Sequence, residues 1–451
     1  MNQDPPVPSL RLEATRRQIL SMALPIAFSI LVPQFNYMVN SLFLSRLGPG
    51  YLGAAGITGV YYLIFASIGH GLNNGLQALI SRRAGQDRVD EIGILSVQSV
   101  YICLVMAAFG IAATYSLAPL ILEGIMDPGL YRQSMEFLRI RIWGLPFLYL
   151  YLMRNAILVG TNQSRLLVWG TLVETASNVL LDYGLIFGRL GMPDLGFNGA
   201  AYASIAAEAI GLVTVLAVVQ RHGIARRLSL FRDWRFRRGQ VRLVLVQSSP
   251  LIAQYVISIA SWEYFFILVS HHGRTALDVT QAMRVVIGVM GVFVWSFAST
   301  ANTMVSNVIG QGKDVLVPGL VRRISGMSVI PAALISIPFL TAPSYFLGLM
   351  SQDPGFIREG VPVMRVVALA MVLMSVSAIW LNAVTGTGNT RVNLMIEVFN
   401  VTVYTIYVYA VLESMRLPTY VGWMSEWIYW SGIFLLAWRY IRSGSWRGKV
   451  V

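Results

Sequence analysis

Residues 19–44 read ILSMALPIAFSILVPQFNYMVNSLFL, without a single Asp, Glu, Lys or Arg from end to end. A helix needs about 20 apolar residues to cross the hydrocarbon core of a bilayer, and this run exceeds that. It is also longer than the core of a signal peptide. The polar stretch before it, MNQDPPVPSLRLEATRRQ, leads to no small-residue cleavage site, so a retained span with no removable signal is expected. Moving outward from this run, the same pattern recurs along the chain. About twelve spans are predicted, at 18–45, 53–80, 92–118, 134–159, 166–188, 197–220, 242–270, 279–309, 318–342, 360–385, 391–412 and 418–440. Lipid supplies no partner for unpaired backbone groups, so such runs must be helices. A barrel would need alternating strands of about ten residues, and these runs do not alternate.

Composition agrees. Of 451 residues, 56% are hydrophobic and 12% charged, with mean hydropathy +0.63. A soluble domain carries roughly twice that charge. The same figures exclude disorder, collagen and a disulfide-stapled scaffold. Cys103 is the only cysteine, which rules out an intramolecular disulfide or a thiolate metal cluster. The net charge of +13 would suggest nucleic acid in a soluble protein. Here the arginines bracket apolar runs, so membrane lipids of an anionic leaflet are the expected partner and no nucleic acid is.

Arginine placement also orients the chain. Eight arginines lie from Arg221 to Arg242, and Arg82, Arg83, Arg88, Arg165, Lys313, Arg322 and Arg323 fall in connections on the same side. Opposite loops hold only Arg46, Arg132, Arg189, Arg274, Arg358 and Arg416. Both termini are therefore expected to be cytoplasmic, in a bacterial inner membrane.

The second half repeats the first. Pro25 and Pro250 lie in LPIA and SPLIA at an offset of 225 (250 − 25), and Gly48 and Gly273, then Gly85 and Gly310, keep that offset. Asp127 and Asp353, in two DPG turns, and Arg165 and Arg391, in NQSR and GNTR, are offset by 226 (353 − 127 and 391 − 165). Six helices per repeat is an even number, so both halves share one orientation and are related by a pseudo-two-fold axis along the membrane normal. The fold expected is all-α integral membrane, with twelve transmembrane helices in two six-helix lobes. The expected parts are a cytoplasmic tail at 1–17, an N-lobe at 18–220, a basic linker at 221–241, a C-lobe at 242–441 and a tail at 442–451. One substrate cavity between the lobes follows.

These residues resemble a known family. LPIAFSILVPQFNYMVNSLFLSRLG followed by GLNNGLQALISRRAGQ is similar to the opening of multidrug and toxic-compound extrusion (MATE) transporters. NQSRLLVWGTLVETASNVLLDYGLIFG, GNTRVNLMIEVFN and WSFASTANTMVSNVIGQGKD fit its internal repeat, so the resemblance covers nearly the whole chain. It implies a secondary antiporter, not an enzyme, that expels organic and often cationic compounds in exchange for Na⁺ or H⁺. The chain departs from the family in two places. Asn40 stands where many members have a first-helix aspartate, and Met374 stands near the aspartate of members that use a C-lobe cation site. Asn178 and Asp182 match the family's N-lobe cation-site spacing.

Polar residues inside the spans are the candidate sites. A carboxylate there costs about 2.5–3.5 kcal/mol on insertion scales and normally faces a cavity or a partner. Glu174, Asn178 and Asp182 recur every four residues, on one helix face. Counted at about 1.5 Å per residue, Asn40, Asp182 and Ser204 lie at one depth in the outer half of the N-lobe. These oxygens are expected to hold Na⁺, or Asp182 to carry a proton; no other cofactor or metal is expected. Substrate-cavity candidates are Glu174 and Glu208, which alternatively bond across the lobe. Others are Glu263, Arg284 and Glu426, with Glu263–Arg284 alternatively a structural ion pair. Tyr37, Tyr61, Tyr62, Trp143, Trp262, Trp295 and Trp380 offer faces for flat cations. Pro25 and Pro33 remove backbone donors, so Pro25 is a candidate gate. Arg154 and Glu397 are expected to snorkel at the cytoplasmic ends.

Other chemistry finds no support. His70, His222, His271 and His272 are scattered, no GxxxxGK[ST] loop is present, and GTGNT at 386–390 follows a span as a helix-to-helix turn. A flippase for a lipid-linked saccharide is the alternative, but it calls for mid-depth arginines that are few here. A channel would need a continuous pore. The chain is expected to work as a monomer on small organic substrates.

Overall fold

The structure, a computed structural model, describes residues 10–124 and 128–449. The side chains of Tyr37, Pro49 and Leu52 lie outside the described residues, as does Asp127 of the first DPG turn. The expectations for Tyr37 and Asp127 therefore fall outside them too.

Every regular element among the described residues is helical. The long helices are α1 (Arg16–Ser45), α2 (Pro49–Gly85), α3 (Val89–Glu123), α4 (Pro128–Gly160), α5 (Leu167–Phe187) and α6 (Gly196–Arg221), then α7 (Arg238–Ser270), α8 (Arg274–Gly310), α9 (Val317–Thr341), α10 (Pro354–Gly386), α11 (Thr390–Ser414) and α12 (Ser425–Ser443). Ten of them, all but α5 and α12, are long and apolar enough to cross a membrane. Twelve apolar spans were expected. The shortfall has a chemical cause: α5 carries Glu174, Asn178 and Asp182, and α12 carries Glu426, Arg439 and Arg442.

Local chemistry sets the helix ends. Asp353 caps α10, its carboxylate accepting from the backbone N–H groups of Gly355 (3.1 Å) and Phe356 (3.2 Å), with Pro354 at the first position. Gly188 ends α5 in the left-handed region (φ 61°), where a side chain would be strained. In α4 a 3₁₀ turn at Ile142–Gly144 interrupts the helix just before Pro146, which has no N–H to bond the Ile142 carbonyl. The offset read from the sequence recurs in these boundaries. For α2 and α8 the starts differ by 225 (274 − 49) and so do the ends (310 − 85). For α4 and α10 both differ by 226 (354 − 128 and 386 − 160).

The described chain forms two compact units. The first is built on Phe28–Ser248 and the second on Arg11–Ala27 with the residues from Ser249 onward. In the first, α5 and α6 approach so closely at Gly199 that a Cβ there would lie 2.5 Å from the Leu185 carbonyl oxygen. Leu44, Ala54, Ile186, Phe197 and Ala200 knit α1, α2, α5 and α6 together one turn beyond Asp182. Residues 221–241 belong to this unit and are not a loose tether. Gln98 of α3 donates to the Arg235 carbonyl and accepts from the Arg237 N–H, each at 2.9 Å, and Tyr101 donates to the Trp234 carbonyl at 2.6 Å.

The second unit treats the segment before α1 in a similar way. The Leu12 N–H donates to Asn307 Oδ1 and its carbonyl accepts from Gln311 Nε2, both at 2.9 Å, while Arg323 bonds the Ala14 carbonyl. Gln98 and Arg323 are themselves separated by the repeat offset, 225 (323 − 98). Each supplies a side-chain partner to backbone groups that no helix or sheet bonds.

Candidate functional site

Helical spacing puts Asn178 and Asp182 one above the other on α5, and both are buried, at 3% and 0% exposure. The Asn178 amide meets the Asn36 amide of α1 at 2.7 Å. With its nitrogen turned toward acceptors, it donates to Asp182 Oδ2 (3.1 Å), and its oxygen accepts from the backbone N–H of Ser204 on α6 (3.3 Å). One amide thus links α1, α5 and α6. The other carboxylate oxygen, Asp182 Oδ1, is buried without a hydrogen-bond partner, and so is Asn40 Oδ1. An unmet buried oxygen of this kind suits a hard cation or a proton.

Three of the four expected residues come together here, with two differences. Ser204 contributes its backbone N–H, a donor, where a hydroxyl oxygen was expected. Asn36, one turn before Asn40, makes the contact to Asn178; the FNYMVN spacing that puts Asn36 and Asn40 on one face is the signal for it.

Glu174 and Glu208 do not pair with each other. Glu208 is held by Arg141 of α4 through two bonds, 2.5 and 3.1 Å, and the guanidinium lies 4.0 Å from the Tyr62 ring centre. The pair fits the notch at Gly144, where a Cβ would collide with the Arg141 guanidinium. Arg141 lies inside the fourth run and is the mid-span arginine that orientation counting passes over. Glu174 packs against Gly211 of α6. Arg154 does not snorkel: it is 3% exposed, stacked 3.8 Å from the Tyr151 ring centre, with Nε and one terminal nitrogen unpartnered. Glu397 is likewise buried, because neighbouring helices supply enough donors to hold it.

In the second unit Glu263 of α7 and Arg284 of α8 form the ion pair expected as an alternative. Arg284 also lies 4.9 and 4.3 Å from the Trp262 and Phe266 ring centres, so the Trp262 face already meets a cation. Glu426 accepts from Trp430 Nε1 at 2.9 Å, one turn along the same helix. Trp143 and Trp295 are exposed, Trp380 is buried against Phe434, and Tyr61 bonds Thr114. Pro25 and Pro33 both lie within α1, which stays helical through them. His271 and His272 bond Glu413 and the Leu412 carbonyl, and among the described residues no cluster of His, Cys, Asp and Glu is arranged to hold a metal.

The family model MatE matches residues 25–184 and again 250–410. The chain belongs to the MatE family. The starts of the two matches differ by 225 (250 − 25) and their ends by 226 (410 − 184), the offset already seen in motifs and helix ends. This MatE chain is 23% identical, over 85% of both chains, to a protein of Synechocystis sp. named probable multidrug resistance protein NorM. A Thermotoga maritima protein of the same name is 21% identical over 99% of this chain and 96% of its own. Among solved structures, an outward-facing multidrug resistance MATE family transporter of the MOP superfamily superimposes with TM-score 0.87 at 16% identity, covering 96% of each chain. A MOP superfamily transporter from Pyrococcus furiosus, described as having a binding pocket of reverse polarity, reaches 0.87 at 15% identity over 98% of each. These likenesses show a common fold. The MatE chain is accordingly a multi-pass integral membrane transporter and not an enzyme. Of the two positions where it departs from its family, Asn40 keeps a buried oxygen in place of an acid, and Met374 is packed at 3% exposure within α10.

Proposed function

We propose that this MatE protein is a multidrug exporter of a bacterial inner membrane, a Na⁺- or H⁺-coupled antiporter for small organic, often cationic, compounds. The two halves act as six-helix lobes that alternate access to a cavity from either side, and the protein works as a monomer with both termini cytoplasmic. Asp182 is the coupling group, with Asn178, Asn36 and the Ser204 backbone linked to it and Asn40 as a further candidate oxygen. Its support is one observation: a fully buried carboxylate whose Oδ2 is engaged by Asn178 while Oδ1 has no partner. Leaving such an acceptor unmet costs about 1–3 kcal/mol or more, which a bound cation or proton relieves. Binding that is stronger in one state than in the other biases the alternation between them. In the second unit, Glu426 rather than the Arg284-paired Glu263 is the anion offered to a cationic substrate.

The test is transport by purified protein in liposomes, with Na⁺ and pH gradients imposed separately. One gradient is expected to drive efflux, and Asp182→Asn to abolish that drive while the protein stays folded. Unchanged gradient-driven transport in Asp182→Asn would remove the assignment, and a response to neither gradient would remove antiport.

A further inference from the structure

Glu397 on α11 is the second fully buried carboxylate, at 0% exposure. Its partners all come from other helices. Ser258 Oγ and Gln254 Nε2 (3.4 Å) reach it from α7, and Tyr429 Oη (2.6 Å) from α12. Among the described residues it has no cationic partner. The titratable group bonded to it is Tyr429, against whose ring Tyr404 of α11 packs edge-on at 5.9 Å, and Glu426 lies one turn before Tyr429 on α12. A structural ion pair such as Arg141–Glu208 works only while the acid is ionised. Glu397 is built differently.

The decisive atom is Ser258 Oγ. It lies within bonding distance of Glu397 Oε1 and, at 2.9 Å, of the Gln254 carbonyl oxygen. A hydroxyl has one proton and can donate to only one of them. With Glu397 ionised, Ser258, Tyr429 and Gln254 all donate to it, and the carboxylate is satisfied without a cation. When Glu397 takes a proton, its own O–H donates to Ser258 Oγ and the Ser258 proton turns to the Gln254 carbonyl. Tyr429 and Gln254 still find acceptors on the carboxyl. Both states satisfy every group, so neither carries the cost of an orphaned donor.

We propose that Glu397, with Ser258, Gln254 and Tyr429, is a proton-binding centre of the second unit, in which rotation of one hydroxyl accommodates a proton taken up from the water that reaches the transport pathway. It is distinct from the α10 position, where Met374 carries no charge. Proton binding at Glu397 stands apart from the role given to Asp182; only a part for Glu397 in antiport rests on that reading.

Infrared titration of the full-length protein in lipid tests this. Acidification is expected to raise a carboxylic-acid C=O band that Glu397→Gln lacks and Asp182→Asn retains. Tyr429→Phe removes a donor that favours the ionised form, so the midpoint of that band should rise by about one pH unit or more. The same band in Glu397→Gln as in the parent, or an unmoved midpoint in Tyr429→Phe, overturns the proposal. Should Glu397→Gln not fold, the Tyr429→Phe midpoint decides alone. Failed gradient coupling in Asp182→Asn bears only on Asp182 and leaves this band in place.

Discussion

A charged side chain keeps its place inside this protein by one of three means, and the residues divide accordingly. Glu208 has an opposite charge, Glu397 has neutral donors on several sides, and Asp182 has one donor and one empty oxygen. Breaking the first kind is costly because it strands a charge. Arg141→Met is expected to destabilise the protein by about 3–5 kcal/mol, and the double change with Glu208→Leu to recover most of that, read by thermal unfolding in detergent. Full stability in Arg141→Met would mean that Glu208 finds another partner. The Glu174–Asn178–Asp182 face was legible from four-residue spacing. Asn36 and Arg141 were less so, since one looks like a filler in an apolar run and the other like an ordinary flanking cation.

Helices here end where chemistry stops them, which makes their ends testable. Removing the Asp353 cap by Asp353→Ala frees the Gly355 and Phe356 N–H groups at the start of α10 and should cost about 1 kcal/mol, a modest fall in melting temperature. An unchanged melting temperature would show that water replaces the cap. The segment between α6 and α7 gives a pH prediction. The Asp233 carboxyl is held below the usual carboxylate range by hydrogen bonds from the Arg237 side chain and the Arg235 N–H. A depressed value means that the contribution is present above the ordinary carboxylate range and is lost as pH falls below it, through the depressed value. The protection of the Arg235 amide, taken against its intrinsic exchange rate at each pH, should therefore fall below about pH 4 and hold at neutral pH. Equal protection at both would detach Asp233 from the segment's order. Sequence alone shows a basic linker; that Gln98 and Tyr101 clamp its backbone to α3 needs coordinates, because side-chain-to-backbone bonds between distant parts of the chain leave no local pattern.

At the scale of the molecule, arginine placement predicts a cytoplasmic linker and an outer first turn of α10. With Cys103 buried and replaced by serine, a cysteine at 232 should react with an impermeant maleimide only from the cytoplasmic side, and one at 358 only from the other. Labelling of both from one side would reverse or break the topology. The repeat was legible in full: the offset between paired motifs reappears in the helix boundaries and in the two family matches. The sequence reads as about twelve apolar spans, and ten of the helices are long and apolar enough to cross, because the acids and arginines of α5 and α12 lower their apolar character. Sequence by itself determined the membrane setting, the helices and their internal duplication, since hydrocarbon leaves backbone groups no partner outside a helix and repeats are written in the order of residues. Only the tertiary structure decided which acids are neutralised, which are merely hydrogen-bonded and which keep an open oxygen. Those outcomes depend on donors arriving from other helices within about 3 Å, a distance that spacing along the chain does not encode.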